Sequence, residues 1–321
     1  MLSKSSNARI LSVGTSVPDH ILTNKDLETL LDTSDEWIST RTGIKQRRVY
    51  PRGKDRPAWE LGSQAARKAL EKAKLTPDLI DGVICATFTP DYFFPSTACK
   101  IADSVGIRDA FAFDISAACA GFVYGLAIAH AMIGNGRYRR ILLVGAEVIS
   151  KTLNWQDRST AILFGDGAGA VIVDAAPDNS QGLLSSWLSS DGALGDILQF
   201  PAWGDNRRMT MKGSEVFKHA VRMMSEATVR VVREAGYTLE DVDLLIPHQA
   251  NMRILNSIAD NLSFPTRKVI SNLVNYGNTS SASIPLALEH AWETGRIVPG
   301  ALVAFTSLGG GLAVGSALVR F

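Results

Sequence analysis

Three side chains carry the strongest chemical suggestion in this chain: the thiol of Cys119, the imidazole of His248 and the carboxamide of Asn278. Cys119 lies in Asp-Ile-Ser-Ala-Ala-Cys-Ala-Gly-Phe (114–122), where a strand-like run over 110–115 gives way to a helix-like run over 121–133. A thiol at such a junction meets the first free N–H groups of the helix and its positive dipole end, and both favour thiolate over thiol. An activated cysteine is a covalent catalyst when a base and an oxyanion site meet it. The small neighbours Ala117, Ala118, Ala120 and Gly121 leave room for a substrate. His248 follows the apolar run 244–246 in Pro-His-Gln-Ala-Asn (247–251), a strand end of the kind that displays functional groups. Asn278, in Tyr-Gly-Asn-Thr-Ser (276–280), enters a helix-like run over 281–293. Taken alone it reads equally well as a capping or turn residue. Gly309, Gly310 and Gly311 follow the apolar run 301–305. Three glycines either bring backbone N–H groups close to a reacting centre or form a tight turn.

Other motifs carry less. Cys85 sits inside an apolar run and Cys99 in Ser-Thr-Ala-Cys-Lys; both read as inert buried thiols. The run Gly-Asp-Gly-Ala-Gly-Ala (165–170) imitates a dinucleotide fingerprint, but β-rich residues 171–174 follow it where a helix is required. A glycine-rich sheet turn is expected there instead. No nucleophile elbow, phosphate loop or zinc-protease motif occurs.

The elements that would position the three side chains are repeated. Residues 73–84 lie over 235–246 at an offset of 162, and each copy follows an amphipathic helix pattern, 58–72 and 216–234. Each copy leads into a short apolar strand, 82–87 and 244–247. A second echo sets 118–121 against 277–280 at an offset of 159. Strands alternating with helices predict an α/β architecture. Duplication predicts two similar sheets facing each other across buried helices, with residues 1–176 and 177–321 as the halves. The helices after Cys119 and Asn278 would then be equivalent, with their N-termini converging mid-molecule beside His248. Residues 177–213 have no counterpart and read as an insertion in the second half.

Bulk properties narrow the class. The chain has 321 residues, 46% hydrophobic and 20% charged, with a net charge of +1. No global basic field argues for nucleic acid or a membrane surface. No run approaches the roughly 18–20 apolar residues that span a bilayer. The three cysteines have no metal-ligand spacing, and free thiols suit a reducing compartment. The first ten residues lack the apolar core of a secretory signal. A cytoplasmic enzyme is expected.

Five motifs then occur in order: 35–44 (Asp-Glu-Trp-Ile-Ser-Thr-Arg-Thr-Gly-Ile), 117–122, 164–169, His-Gln-Ala-Asn at 248–251 and Gly-Asn-Thr-Ser at 277–280. With the terminal triple glycine they closely resemble, essentially from end to end, the β-ketoacyl-acyl carrier protein synthase III family of thiolase-fold condensing enzymes. The resemblance implies a duplicated five-layer α/β/α/β/α fold. It implies that Cys119 takes an acyl group from acyl-CoA, with the Cys119 and Gly310 N–H groups as oxyanion hole. His248 and Asn278 would then stabilise the enolate formed as malonyl-acyl carrier protein loses CO2. It also implies coenzyme A contacts at Trp37, Arg41, Arg158 and Asn251, and carrier-protein docking at Lys218 and Arg253. Phe94 would be donated across a homodimer to the partner's acyl pocket. The coenzyme A thioester is substrate, so no cofactor and no metal are implied.

The chain departs from the family pattern at Leu308, where an aromatic residue usually precedes the glycines, and at Ser281, where alanine is common. Residues 312 and 313 are smaller or less polar than usual. These departures suggest an altered acyl pocket. The first reading is a condensing enzyme that initiates fatty acid synthesis. The alternatives are a paralogue taking an unusual starter, such as a dicarboxylic or longer acyl-CoA, and a non-condensing acyltransferase. A non-catalytic scaffold is disfavoured by the complete Cys-His-Asn set.

Overall fold

The two halves of the chain fold as two sheets with helices between and outside them, in a computed structural model that describes residues 7–54, 56–178, 180–204 and 207–321. The first half runs β1 (Ala8–Ser16), β2 (Ile21–Thr23), α1 (Asn24–Glu28), α2 (Asp35–Thr42), β3 (Gln46–Arg48), α3 (Ala58–Ala73), β4 (Gly82–Ala86) and α4 (Thr97–Val105). It continues through β5 (Phe111–Ile115), α5 (Gly121–Gly134), β6 (Arg140–Glu147), α6 (Arg158–Ala161) and β7 (Gly167–Ala175). The second half begins with β8 (Gly182–Ser190), β9 (Leu198–Gln199), β10 (Thr210–Met211), α7 (Gly213–Glu234) and β11 (Leu244–Pro247). It ends with α8 (Met252–Asn261), α9 (Leu273–Tyr276), α10 (Ser283–Glu293), β12 (Leu302–Gly309) and β13 (Ala313–Arg320).

The two large sheets are ordered β1-β7-β6-β4-β5 and β11-β12-β13-β8, and β2-β3 and β9-β10 form two-stranded sheets beside them. Their pairing follows one plan: β4 is parallel to β6 as β11 is to β12, and β6 is antiparallel to β7 as β12 is to β13. The counterpart of β5 is reduced to a parallel bridge from Val269 to Leu245. The repeated threonines, Thr76 and Thr238, each open a short 3-10 turn, Pro77–Leu79 and Leu239–Asp241.

Side-chain alternation along the strands builds the layers. Ile141, Leu143, Val171 and Val173 face inward, joining Val303, Phe305 and Ala317 of the second sheet around α5 and α10. Leu142, Val144, Ala170 and Ile172 face outward onto α3 and α4. Leu302, Ala304, Val314 and Leu318 face outward onto α7 and α8. The stack is α/β/α/β/α. Helix α5, Gly-Phe-Val-Tyr-Gly-Leu-Ala-Ile-Ala-His-Ala-Met-Ile-Gly, is apolar around most of its circumference, as a helix buried between two sheets must be. Phe122 on α5 meets Phe305 on β12 edge to face at 6.4 Å, joining the halves through the central layer.

Three expectations need correction. Residues 177–213 are not all insertion: β8 pairs antiparallel with β13 along its length, as β1 pairs with β7, so it is the second half's own edge strand. Nothing in its sequence matched β1 because an edge strand is specified by pattern rather than by particular residues. The glycine-rich run is not a turn; Gly167 and Gly169 lie inside β7. A Cβ on Gly169 would come within 2.6 Å of Pro285, so glycine lets α10 press onto the sheet. Cys99 is exposed on α4, while Cys85 is fully buried in the outer core.

Candidate active site

Both central helices begin at the middle of the molecule, and both are preceded by a 3-10 turn, Ala118–Ala120 and Ser280–Ala282. The turns share a strained start: Ala118 and Ser280 have positive φ, 45° and 51°. This corrects the second sequence echo. The positional equivalent of Cys119 is Ser281, at the same offset as the first repeat, and not Asn278. The turns meet at a cavity of about 1490 Å3 whose lining includes Cys119, His248, Asn278, Leu308 and Gly310. Residues 159 positions apart in the chain thus share one space.

Gly309 explains how the cysteine turn is held. A Cβ there would sit 2.6 Å from Ala117 O and 2.7 Å from Cys119 N, so the glycine hairpin packs directly on the backbone of the nucleophile. Gly310 and Cys119 both border the cavity.

Burial works against the local bias toward thiolate. Burial pushes the Cys119 thiol up to about 12; the Ser280 hydroxyl draws it partly back, and the Glu147 carboxyl adds to the rise. Desolvation thus opposes the pull of the helix N-terminus and favours the thiol. Burial pulls His248 the other way, down to about 3, so its imidazole is neutral. His248 Nδ1 lies 2.7 Å from Ser283 Oγ, and Ser283 Oγ also accepts from the Gln249 N–H at 3.3 Å. A Ser283 hydroxyl that donates to Nδ1 places the ring proton on Nε2. Asn278 Oδ1 accepts from the Ser280 N–H at 2.8 Å, so its Nδ2 amide is the donor end left for a ligand. In that tautomer both side chains carry a neutral N–H that is not used in these contacts.

Sequence reasoning missed Ser283 and Glu147. Ser283 opens α10 ahead of the apolar run Ile-Pro-Leu-Ala-Leu, five residues after Asn278. Glu147 is a charged residue closing the apolar strand β6. It is fully buried, its Oε2 accepting from Thr89 Oγ1 at 2.7 Å and Thr87 Oγ1 at 3.1 Å. Burial raises its carboxyl to about 7.

The remaining predicted residues fall into three groups. Trp37 and Arg41 line the cavity mouth, with the Arg41 guanidinium 5.2 Å and the Arg158 guanidinium 4.5 Å from the Trp37 ring centre. Arg158 does not border the cavity; it also donates to Asp32 O at 2.7 Å. Asn251 borders the cavity but is largely committed: it caps α8 through the Arg253 N–H and donates to Arg41 O at 3.2 Å. Lys218 is exposed on α7 outside the cavity, and Arg253 is exposed at its rim against Phe217. Phe94 does not line this chain's own cavity and is 86% exposed. Of the departures, only Leu308 borders the cavity. Ser281 turns away to Ala86 O at 2.8 Å and Glu147 Oε1 at 3.0 Å, while Leu312 is sealed in the outer core. The pocket change suggested by Ser281, Leu312 and Ala313 is thus not found at the cavity wall.

Residues 113–192 match the family model for 3-oxoacyl-[acyl-carrier-protein] synthase III, and residues 232–321 match its C-terminal model. The β-ketoacyl-[acyl-carrier-protein] synthase III of Aquifex aeolicus is 46% identical over 313 residues, 98% of this chain and 99% of that protein. The crystal structure of 3-oxoacyl-[acyl-carrier-protein] synthase III from the same organism superposes with a TM-score of 0.94 at 44% identity, covering 98% of this chain and 100% of that one. The priming β-ketosynthase from the R1128 polyketide pathway superposes equally, TM-score 0.94, at 33% identity over 100% of this chain and 98% of its own.

Proposed function

The chain belongs to the 3-oxoacyl-[acyl-carrier-protein] synthase III family, thiolase-fold condensing acyltransferases of fatty acid initiation, and from that premise we propose how its residues divide the reaction. Acyl-CoA enters past Trp37, whose ring stacks on the adenine with Arg41 and Arg158 against it. Cys119 attacks the thioester, and the Cys119 and Gly310 N–H groups hold the oxyanion of the tetrahedral intermediate. The thiol proton leaves with the departing coenzyme A, so no net charge remains in the apolar site. Malonyl-acyl carrier protein then docks near Lys218 and Arg253, with its pantetheine arm beside Asn251.

Loss of CO2 turns the malonyl thioester into an enolate whose charge gathers on the thioester oxygen. The Nε2–H of His248 and the Nδ2–H of Asn278 donate to that oxygen. Neutral donors are suited to this step because they stabilise developing charge without forming an ion pair in the ground state. The enolate carbon attacks the acyl-Cys119 carbonyl and expels the thiolate, which takes up a proton. The net reaction consumes one proton and yields a 3-ketoacyl-carrier protein, coenzyme A and CO2.

The observation that carries this reading is the shared cavity of Cys119, His248, Asn278 and Gly310. Leu308 at its wall supports a second reading, a starter other than a short straight acyl-CoA. The test is a product-mass assay with acetyl through decanoyl, branched and dicarboxylic acyl-CoAs and malonyl-carrier protein. A 3-ketoacyl product from acetyl-CoA supports initiation; acyl-Cys119 with no ketoacyl product points to a special starter or a simple transferase. Cys119→Ser should abolish acylation, and Asn278→Ala should spare it while stopping decarboxylation.

The exposed aromatic loop favours a homodimer. Phe93 stacks on Trp203 at 5.3 Å, and both are more than two-thirds exposed in the single chain, as is Phe94.

A further inference from the structure

Among the described residues Arg47 on β3 is the bulkiest side chain sealed completely from solvent, and every acceptor its guanidinium reaches is neutral. Nη1 donates to Leu22 O at 3.2 Å and Asn24 Oδ1 at 2.9 Å, Nη2 donates to Ile162 O at 2.7 Å, and Nε has no partner. A permanent charge buried without a counter-ion is costly, and a fold that only needed filling would use an apolar side chain. Two of these contacts lead to functional elements. Asn24 turns its own Nδ2 to Asp35 Oδ1 at 2.7 Å and Ser39 Oγ at 3.3 Å, both on α2, the helix that carries Trp37 and Arg41. Ile162 opens the segment that grips the Asn278 backbone: the Asn278 N–H donates to Leu163 O at 2.8 Å, and Asn278 O accepts from the Gly165 N–H at 2.9 Å. The Arg47 stem packs against the same segment, for a Cβ on Gly277 or Gly165 would lie 3.3 or 3.2 Å from Arg47 Cβ.

The geometry points to Arg47 as a positioning residue that ties the coenzyme-binding helix α2 to the loop presenting Asn278, holding the coenzyme clamp and the decarboxylating amide in one register. The inference rests on the roles given above to Asn278, Trp37 and Arg41. Arg47 touches no substrate; it acts through Asn24 and through the carbonyl of Ile162.

The test separates the half-reactions. Arg47→Gln removes the buried charge and the fork; Arg47→Lys keeps the charge and loses the fork. For both, malonyl decarboxylation should fall about 10- to 100-fold, as expected when a reacting group is misplaced by an ångström or less. Acylation of Cys119 at saturating acyl-CoA should stay within about twofold of wild type, while KM for acyl-CoA rises. An equal fall in both half-reactions, or no change in either, overturns the proposal. Asn278→Ala serves as reference: if it too leaves decarboxylation intact, the assignment of Asn278 is wrong. If it stops decarboxylation and the Arg47 variants do not, only the Arg47 proposal fails. Should neither Arg47 variant accumulate folded, Asn24→Ala is read on the same assays; a raised KM for acyl-CoA with acylation retained at saturation supports the tether, and an unchanged KM overturns it.

Discussion

Cys119 and His248 occupy one desolvated space and respond to it in opposite directions, the thiol raised to about 12 and the imidazole lowered to about 3. The shared consequence is that both rest uncharged. A neutral imidazole still needs its proton on the nitrogen that faces the substrate, and Ser283 is the group placed against the other nitrogen. Ser283→Ala should therefore slow malonyl decarboxylation roughly tenfold, about the 1–2 kcal/mol of one oriented hydrogen bond, and leave Cys119 acylation nearly unchanged. Single-turnover acylation and CO2 release, measured separately, check this. An equal loss in both would mean that Ser283 only supports the fold of α10.

At the scale of elements, the site is a meeting of turns. The 3-10 turn before α5 carries the nucleophile, the matching turn before α10 follows Asn278, and the hairpin between β12 and β13 closes over the first. The hairpin can do so only because position 309 has no side chain. Gly309→Ala places a methyl group against Ala117 O and Cys119 N, atoms of fixed backbone that cannot swing aside. Acylation should fall on the order of 100-fold as the oxyanion donors separate, with far-ultraviolet circular dichroism unchanged. Normal acylation by this variant would mean that the hairpin does not set the geometry of the cysteine turn.

At the scale of the whole molecule, buried titratable groups give stability an opposed pH dependence. The unfolded chain protonates His248 below about 6.5, whereas the folded chain does not until about 3. That contribution is complete above the unfolded value and is lost as pH falls through the interval. Glu147 runs the other way: held up to about 7, it favours the fold below its ordinary value, and this is lost as pH rises through about 7. Glu147→Gln should thus gain stability relative to wild type between about pH 5 and about pH 8, to a limit on the order of 3 kcal/mol. Urea unfolding at the two pH values measures it; a difference that does not grow with pH would mean Glu147 is ionised throughout. For the assembly, Phe94→Glu puts a charge into the proposed interface and should shift sedimentation from dimer toward monomer. An unchanged dimer would place the interface elsewhere.

What the sequence determined was the chemistry and the plan: a cysteine at a strand-to-helix junction, a histidine at a strand end, an asparagine before a helix, and a repeat implying two sheets around buried helices. These are legible because local pattern dictates them, through alternation in strands, periodicity in helices and small residues where backbones approach. Tertiary structure alone decided the rest. The state of the Cys119 thiol depends on what surrounds it from distant segments, and burial there opposes the local dipole. The edge strand β8 lacked a recognisable partner because pairing is a relation between segments. The direction of Ser281 away from the cavity, the grip of Ser283 on His248 and the neutral cage around Arg47 each join residues tens to more than a hundred positions apart. Burial and hydrogen-bond partnership are properties of the packed whole, and no window of sequence contains them.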